Sequence, residues 1–263
     1  MQTSFKKTAL ANNAVEHPLS KVPEVTLIFW IIKIFATTLG ETGGDAVSMS
    51  MNLGYLVGTV IFAVIFLIAV VAQIKAKLFH PLLYWTTIIA TTTVGTTLAD
   101  FADRSLGIGY TGGSTLLFIL LLASFSIWYK TLGAVSVNTV SSPKAEMFYW
   151  ITIMFSQTLG TALGDWTADT AGLGYGGAAI IFGGLLAVVL ASYLWTSISR
   201  TLLFWAAFIL TRPLGAVVGD FLDKPVSAGG LALSRYWAST TLLIIIIACI
   251  LIFPQRAEKS SVA

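Results

Sequence analysis

The chain has 263 residues, 56% of them hydrophobic and only 10% charged, with a mean hydropathy of +0.86. A soluble domain carries about 25% charged residues, so the composition argues against a water-facing globule and makes lipid the natural solvent. The net charge of +3 comes from basic residues scattered through connecting segments, which excludes a nucleic-acid patch.

Along the chain, apolar stretches run at about 25–45, 53–73, 82–101, 114–129, 147–166, 176–196, 201–221 and 236–253. Each approaches the ~20 residues that a helix needs to cross a bilayer. The runs are continuous instead of alternating, which favours helices over barrel strands. The expectation is an all-α integral membrane protein of about eight transmembrane helices. Residues 1–24 form a polar cytoplasmic segment without a signal-peptide pattern, 25–254 a single transmembrane domain, and 255–263 a cytoplasmic tail. Cys249 lies alone in an apolar run, and His17 and His80 fall near helix starts and read as interfacial.

Stacking the odd-numbered stretches exposes an internal repeat. Trp30, Trp85, Trp150 and Trp205 each precede a glycine by ten residues (Gly40, Gly95, Gly160, Gly215), and each glycine precedes an aspartate by five (Asp45, Asp100, Asp165, Asp220). Gly-rich segments follow, such as Leu53–Tyr55 and Gly172–Gly177, and read as tight hairpin connections. The tryptophans are 55, 65 and 55 residues apart, so two halves of two hairpins are joined by a longer connection, Thr131–Glu146. The four tandem, same-orientation helical hairpins cover about 25–77, 80–132, 145–198 and 200–254. Ten basic residues lie at the termini and in the even-to-odd loops, among them Lys6, Lys7, Lys21, Lys75, Lys77 and Lys259. Only Arg104, Lys224 and Arg235 lie in the opposite loops, which places both termini in the cytoplasm and the repeat tryptophans in an interfacial aromatic belt.

Counted from the repeat glycine, offsets −7, −3, 0, +1, +4 and +5 lie near one helical face. Offsets 0 and +4 hold Gly40/Gly44, Gly95/Ala99, Gly160/Gly164 and Gly215/Gly219, the small-xxx-small spacing that allows close helix approach in lipid. Offset −3 holds Thr37, Thr92, Gln157 and Arg212; offset +1 holds Glu41, Thr96, Thr161 and Ala216; offset +5 is always aspartate. Lys33 occupies −7 in the first repeat. Charges this deep are normally paired or hydrated, so Lys33 and Arg212 are expected to be counter-charges to the carboxylates. The odd helices should pack through their glycine faces around a polar interior where the four aspartates converge, with the apolar even helices outside.

The segments Thr38–Asp45, Thr93–Tyr110, Gln157–Asp169 and Thr211–Pro225 resemble a bacterial family of uncharacterised membrane-anchored proteins, defined by a short repeat of unknown function occurring four times. The resemblance implies a bacterial inner-membrane location and no activity.

Three function classes remain open. The first is a transporter or exporter of a small cation, with proton coupling as one route, whose pathway is Glu41, Asp45, Asp100, Asp165, Asp220, Thr37, Thr92, Gln157, Thr96 and Thr161. Hard oxygen donors favour H⁺, Na⁺, Mg²⁺, Mn²⁺ or Ca²⁺ over copper or zinc. Lys33 and Arg212 would instead suit an anion or neutral-solute transporter. The third class is a non-transporting scaffold or stress-response protein, its polar stripe serving as glue. No nucleophile–base set or phosphate loop points to an enzyme, no cofactor motif is present, and the identity of any metal and the oligomeric state stay open.

Overall fold

A computed structural model describes residues 20–258. Lys6, Lys7, His17 and Lys259, with most of the expected N-terminal segment, lie outside the described residues. Eight α-helices and no strand occur among the described residues: α1 (Leu27–Asp45), α2 (Gly54–Lys75), α3 (Pro81–Asp100), α4 (Gly109–Leu132), α5 (Pro143–Asp165), α6 (Gly174–Trp195), α7 (Arg200–Asp223) and α8 (Arg235–Ile252). Local chemistry sets several of the starts. Pro81 and Pro143 open α3 and α5 where a missing N–H costs nothing, and Ser142 Oγ accepts from the Ala145 N–H at 3.2 Å. Gly54, Gly109 and Gly174 take left-handed φ of 78°, 75° and 64° at the starts of α2, α4 and α6. The fourth helix begins earlier than its apolar run, because the small residues Gly109–Ser114 are helical without being apolar.

The odd helices form a closed ring, α1 on α3, α3 on α5, α5 on α7 and α7 on α1. The even helices form an outer layer, but not as hairpins packed on their own partners. Instead α2 lies on α3, α4 on α5, α6 on α7, and α8 closes the circle on α1. A five-residue π-helical turn after each of α1, α3 and α5 (Ala46–Ser50, Phe101–Ser105, Trp166–Thr170), with the glycine that follows, carries the chain sideways to the next repeat. Each outer helix therefore staples two repeats together.

Glycine positions explain how closely the ring packs. A Cβ on Gly40 would meet Thr92, one on Gly95 would meet Gln157, one on Gly160 would meet Arg212, and one on Gly215 would meet Thr37. In every case the glycine of one repeat receives the −3 side chain of the next, and the fourth repeat hands back to the first. One turn along, Gly44 receives Thr96, Gly164 receives Ala216, and Gly219 receives Glu41. Aromatic rings repeat the pattern near the other end of the ring. Phe29 packs on Trp85, Tyr84 on Trp150, Tyr149 on Trp205 and Phe204 on Trp30, with centroids 5.4, 5.7, 6.0 and 5.7 Å apart. Trp85, Trp150 and Trp205 are thus buried in the core and do not form the expected interfacial belt. Their large faces are what fills the space between neighbouring inner helices.

Chain ends and the middle connection close this aromatic end. Val22 is buried in the aromatic cluster, Lys21 N–H donates to Val140 O at 2.9 Å, and Glu258 N–H donates to Val22 O at 2.8 Å. Lys21 Nζ also pairs with Glu146 at 2.6 Å and reaches Ile74 O at 3.2 Å. The long middle connection is therefore packed structure, with Val137 and Val140 in the core and Val135 O accepting from Trp205 Nε1 at 2.8 Å.

The outer helices expose apolar side chains, such as Ile68, Ile119, Ile180 and Leu251. Five helices, α2, α4, α6, α7 and α8, are long and apolar enough to cross a membrane. The inner α1, α3 and α5 are of similar length but too polar to qualify, because they carry buried threonines and acids. Gly215→Ala, which drives a Cβ into Thr37, is expected to cost about 1–3 kcal/mol by unfolding in detergent. Gly183→Ala, which meets open space on α6, is expected to be neutral or to stabilise by up to about 1 kcal/mol.

Candidate functional site

The polar stripe lines the axis of the inner ring in tiers one helical turn apart. Offset +5 supplies Asp45, Asp100, Asp165 and Asp220, all buried, from the C-terminal ends of the four inner helices. They converge, as the repeat spacing predicts, in two bridged pairs. Lys224 Nζ lies 2.5 Å from Asp45 and 3.0 Å from Asp220, while Arg104 lies 2.8 Å from Asp100 and 3.4 Å from Asp165. Arg235 adds contacts to Asp223 at 2.9 Å and Asp45 at 3.7 Å. One carboxylate oxygen each from Glu41, Asp45 and Asp100 lies within 4.8 Å of the others, and the same holds for Asp45, Asp220 and Asp223. Each group gathers three hard oxygen donors of the kind that Ca²⁺ and Mg²⁺ take.

The bridging bases are parts of this cluster that the repeat spacing did not single out. Arg104 and Lys224 both fall at offset +9, four residues beyond their own aspartates and in the second and fourth repeats only. Extending the repeat ruler by one turn would have found them. They turn a fourfold ring of acids into a twofold arrangement, one base bridging repeats two and three and the other repeats four and one. Burial works against the Lys224 charge, but Asp220, Asp45 and Asp223 outweigh it and hold the ammonium above the ordinary lysine range. Arg104 is held up in the same way by Asp100 and Asp165.

One turn deeper, a single nitrogen ties the ring together. Arg212 Nη2, from α7, donates to Glu41 Oε2 of α1 at 2.9 Å, to Thr96 Oγ1 of α3 at 2.5 Å, and to Thr161 Oγ1 of α5. Arg212 is wholly buried and Glu41 nearly so. The expected counter-charge role therefore holds geometrically for Arg212. It does not hold for Lys33, which makes no ion pair among the described residues. At −7 it sits one turn further from the acids, with Arg212 between, and its Nζ lies 4.2 Å from the centre of the Phe208 ring.

The remaining stripe residues divide. Thr96 and Thr161 face the axis. Thr37 instead turns to backbone, its Oγ1 lying 2.8 Å from Ile34 O and 3.2 Å from Thr211 O beneath Gly215. Thr92 Oγ1 and both amide atoms of Gln157 are buried without a hydrogen bond. Of the outermost acids, Asp103 and Asp223 are buried and Asp169 is exposed.

The ring is thus the product of a fourfold sequence unit, and comparison with known families describes the same unit. Residues 28–78, 83–133, 148–199 and 203–260 each match the repeat described as Repeat of Unknown Function (DUF347). The chain belongs to this family. Each copy of the family repeat spans one inner helix and the outer helix that follows it. No curated protein and no solved structure matches the chain.

Removing the Glu41 carboxylate strands the Arg212 charge in the core, so Glu41→Gln is expected to destabilise by about 3–5 kcal/mol. Arg212→Met in the same chain should recover part of that loss. A double-mutant cycle by unfolding in detergent reads the coupling; strictly additive effects would deny that the pair holds the ring.

Proposed function

We propose that this protein is a multi-pass transporter of a small cation in the bacterial inner membrane, with all eight helices crossing and both termini cytoplasmic. The observation that carries the reading is the convergence of Glu41 and four aspartates from four helices on one axis. Helix C-termini already bear partial negative charge, so four aspartates at these ends make a strongly cation-seeking site. Among the described residues, Asp45, Asp100, Asp103, Asp165, Asp220 and Asp223 face only Arg104, Lys224 and Arg235 at this end. Lys224 Nζ between Asp45 and Asp220 occupies the kind of position that a free cation takes when it displaces a tethered one.

Topology has its own support. The three basic residues of the aspartate end are all engaged with acids, whereas Lys75, Lys77, Lys130 and Arg200 are exposed at the aromatic end. That asymmetry favours the aromatic end as the cytoplasmic one. Eight crossings also explain why α1, α3 and α5 can be polar, since the other helices shield them from lipid. The aromatic tiers and the N-terminal segment close the cytoplasmic end, so passage requires a rearrangement there. The scaffold reading draws on the same ion pairs, which link neighbouring repeats whether or not an ion moves.

In proteoliposomes, saturable flux of at least one of H⁺, Na⁺, Mg²⁺, Mn²⁺ or Ca²⁺ is expected. Asp165→Asn, which leaves Arg104 its Asp100 partner, should reduce that flux by about tenfold or more. A folded native protein that moves none of these ions would overturn the transport reading in favour of the scaffold. For topology, cysteines placed at exposed Lys77 and Leu106 in a Cys249→Ser background are labelled with a membrane-impermeant maleimide. Leu106→Cys should react in intact cells, and Lys77→Cys only after permeabilisation.

A further inference from the structure

Beyond the acids, the deepest polar layer carries a different chemistry. Lys33, Thr92, Gln157 and Arg212 come one each from α1, α3, α5 and α7, and all four are wholly buried. Among the described residues, Lys33 Nζ, Thr92 Oγ1, Gln157 Oε1 and Nε2, and Arg212 Nε and Nη1 have no hydrogen-bond partner. They occupy offsets −7 and −3, two tiers about 6 Å apart along the helix axes. Lys33 Nζ reaches across to Phe208, one turn below Arg212 on the same helix. The two basic heads therefore come from neighbouring helices of the ring, α7 and α1, one tier apart.

Counting the groups decides what the layer wants. The Lys33 head, the free N–H groups of the guanidinium and the Gln157 amide together offer more donors than the free acceptors, Gln157 Oε1 and the hydroxyls of Thr92, Ser156 and Thr152. Formal charge is unbalanced in the same sense, because Lys33 and Arg212 share one carboxylate, Glu41, which lies on the far side of Arg212. Towards the aromatic end Lys33 Nζ meets the Phe208 ring, which supplies no oxygen acceptor. A buried donor without an acceptor costs about 1–3 kcal/mol, and more when it is charged, so this layer is poised for a ligand that brings negative charge. Water brings two donors with its acceptor and leaves the charge uncancelled. A cation brings neither acceptor nor compensating charge.

We infer that the layer between Lys33 and Arg212 is a binding site for a small monovalent anion, held by Lys33 Nζ, Arg212 Nε and Nη1, and Gln157 Nε2. The Nε–Nη1 edge of the guanidinium suits two oxygens of a planar anion such as nitrate or formate, and a halide can take the same centre. The site uses the Nε–Nη1 edge of Arg212, whereas Glu41 of the acid tier is held by Nη2 of the same guanidinium.

Calorimetric titration tests it without requiring transport. Sodium chloride, nitrate and formate are each titrated into purified native protein in detergent, against a background of sodium gluconate, a bulky polyhydroxylated anion. Saturable binding of at least one anion at a single site is expected. Lys33→Met should weaken it by about tenfold or more and Gln157→Leu by several-fold, while Lys130→Gln on the exposed end of α4 leaves it unchanged. Gln157→Leu, which removes no charge, carries the comparison if Lys33→Met does not fold. The inference is overturned if folded native protein shows no saturable binding of any of the three. Binding that survives unchanged in Gln157→Leu and in folded Lys33→Met would overturn it equally, by placing the anion elsewhere.

Discussion

The whole architecture depends on how closely the four inner helices approach. At Gly40, Gly160 and Gly215 the space of a Cβ is already filled by the −3 side chain of the next repeat, and at Gly95 it abuts Gln157 and the Thr158 backbone. Such contact brings backbones together, and it is directional: each helix offers a glycine to one neighbour and a side chain to the other. Repeated four times, a directional contact either spirals or closes. Here it closes, with Thr37 seated on Gly215, and the aromatic pairs follow the same sense around the ring. The outer helices reinforce this by docking on the following repeat, so no repeat has a complete environment without its neighbours.

Close approach brings the polar stripe to a narrow axis, and crowding then governs the chemistry. A ring that gathers four aspartates at helix C-termini is electrostatically expensive unless cations are supplied. The chain supplies three, two of them by placing Arg104 and Lys224 one turn beyond the aspartates of alternate repeats. The first and third repeats carry Met49 and Asp169 at that position, which breaks the fourfold pattern into a twofold one. Further in, Arg212 replaces the threonine or glutamine of the other repeats, and its one nitrogen reaches a side chain from each of the other inner helices. A fourfold scaffold with unequal residues thus yields a polarised axis, acid-rich at one end, donor-rich in the middle and aromatic at the other.

Much of this was legible beforehand, and the failures are instructive. The glycine and aspartate spacings placed the stripe, the ring and the converging acids, because one helical face is a local property of spacing. Trp85, Trp150 and Trp205 fill the core, which their spacing does not reveal, since an aromatic beside an interface and one wedged between helices look alike in sequence. Arg104, Lys224 and Arg235 were read only as loop charges, although two of them stand at i+4 from a repeat aspartate. Lys33 and Arg212 looked equivalent as deep cations on one stripe. One turn of helix separates them, enough for Arg212 to reach Glu41 while Lys33 Nζ lies over the Phe208 ring.

By itself, the sequence determined the repeat, the eight helices, their division into polar and apolar sets, and the face that each inner helix turns inward. These follow from residue spacing within about one turn of chain. Only the tertiary structure decided that outer helices dock on the next repeat, which base bridges which acids, and that Lys33, Gln157 and Thr92 keep their polar atoms free. Those outcomes join residues as much as 179 positions apart, as Lys224 and Asp45 are. Such pairings depend on which helix stands beside which around a closed ring, and helical periodicity carries no record of that.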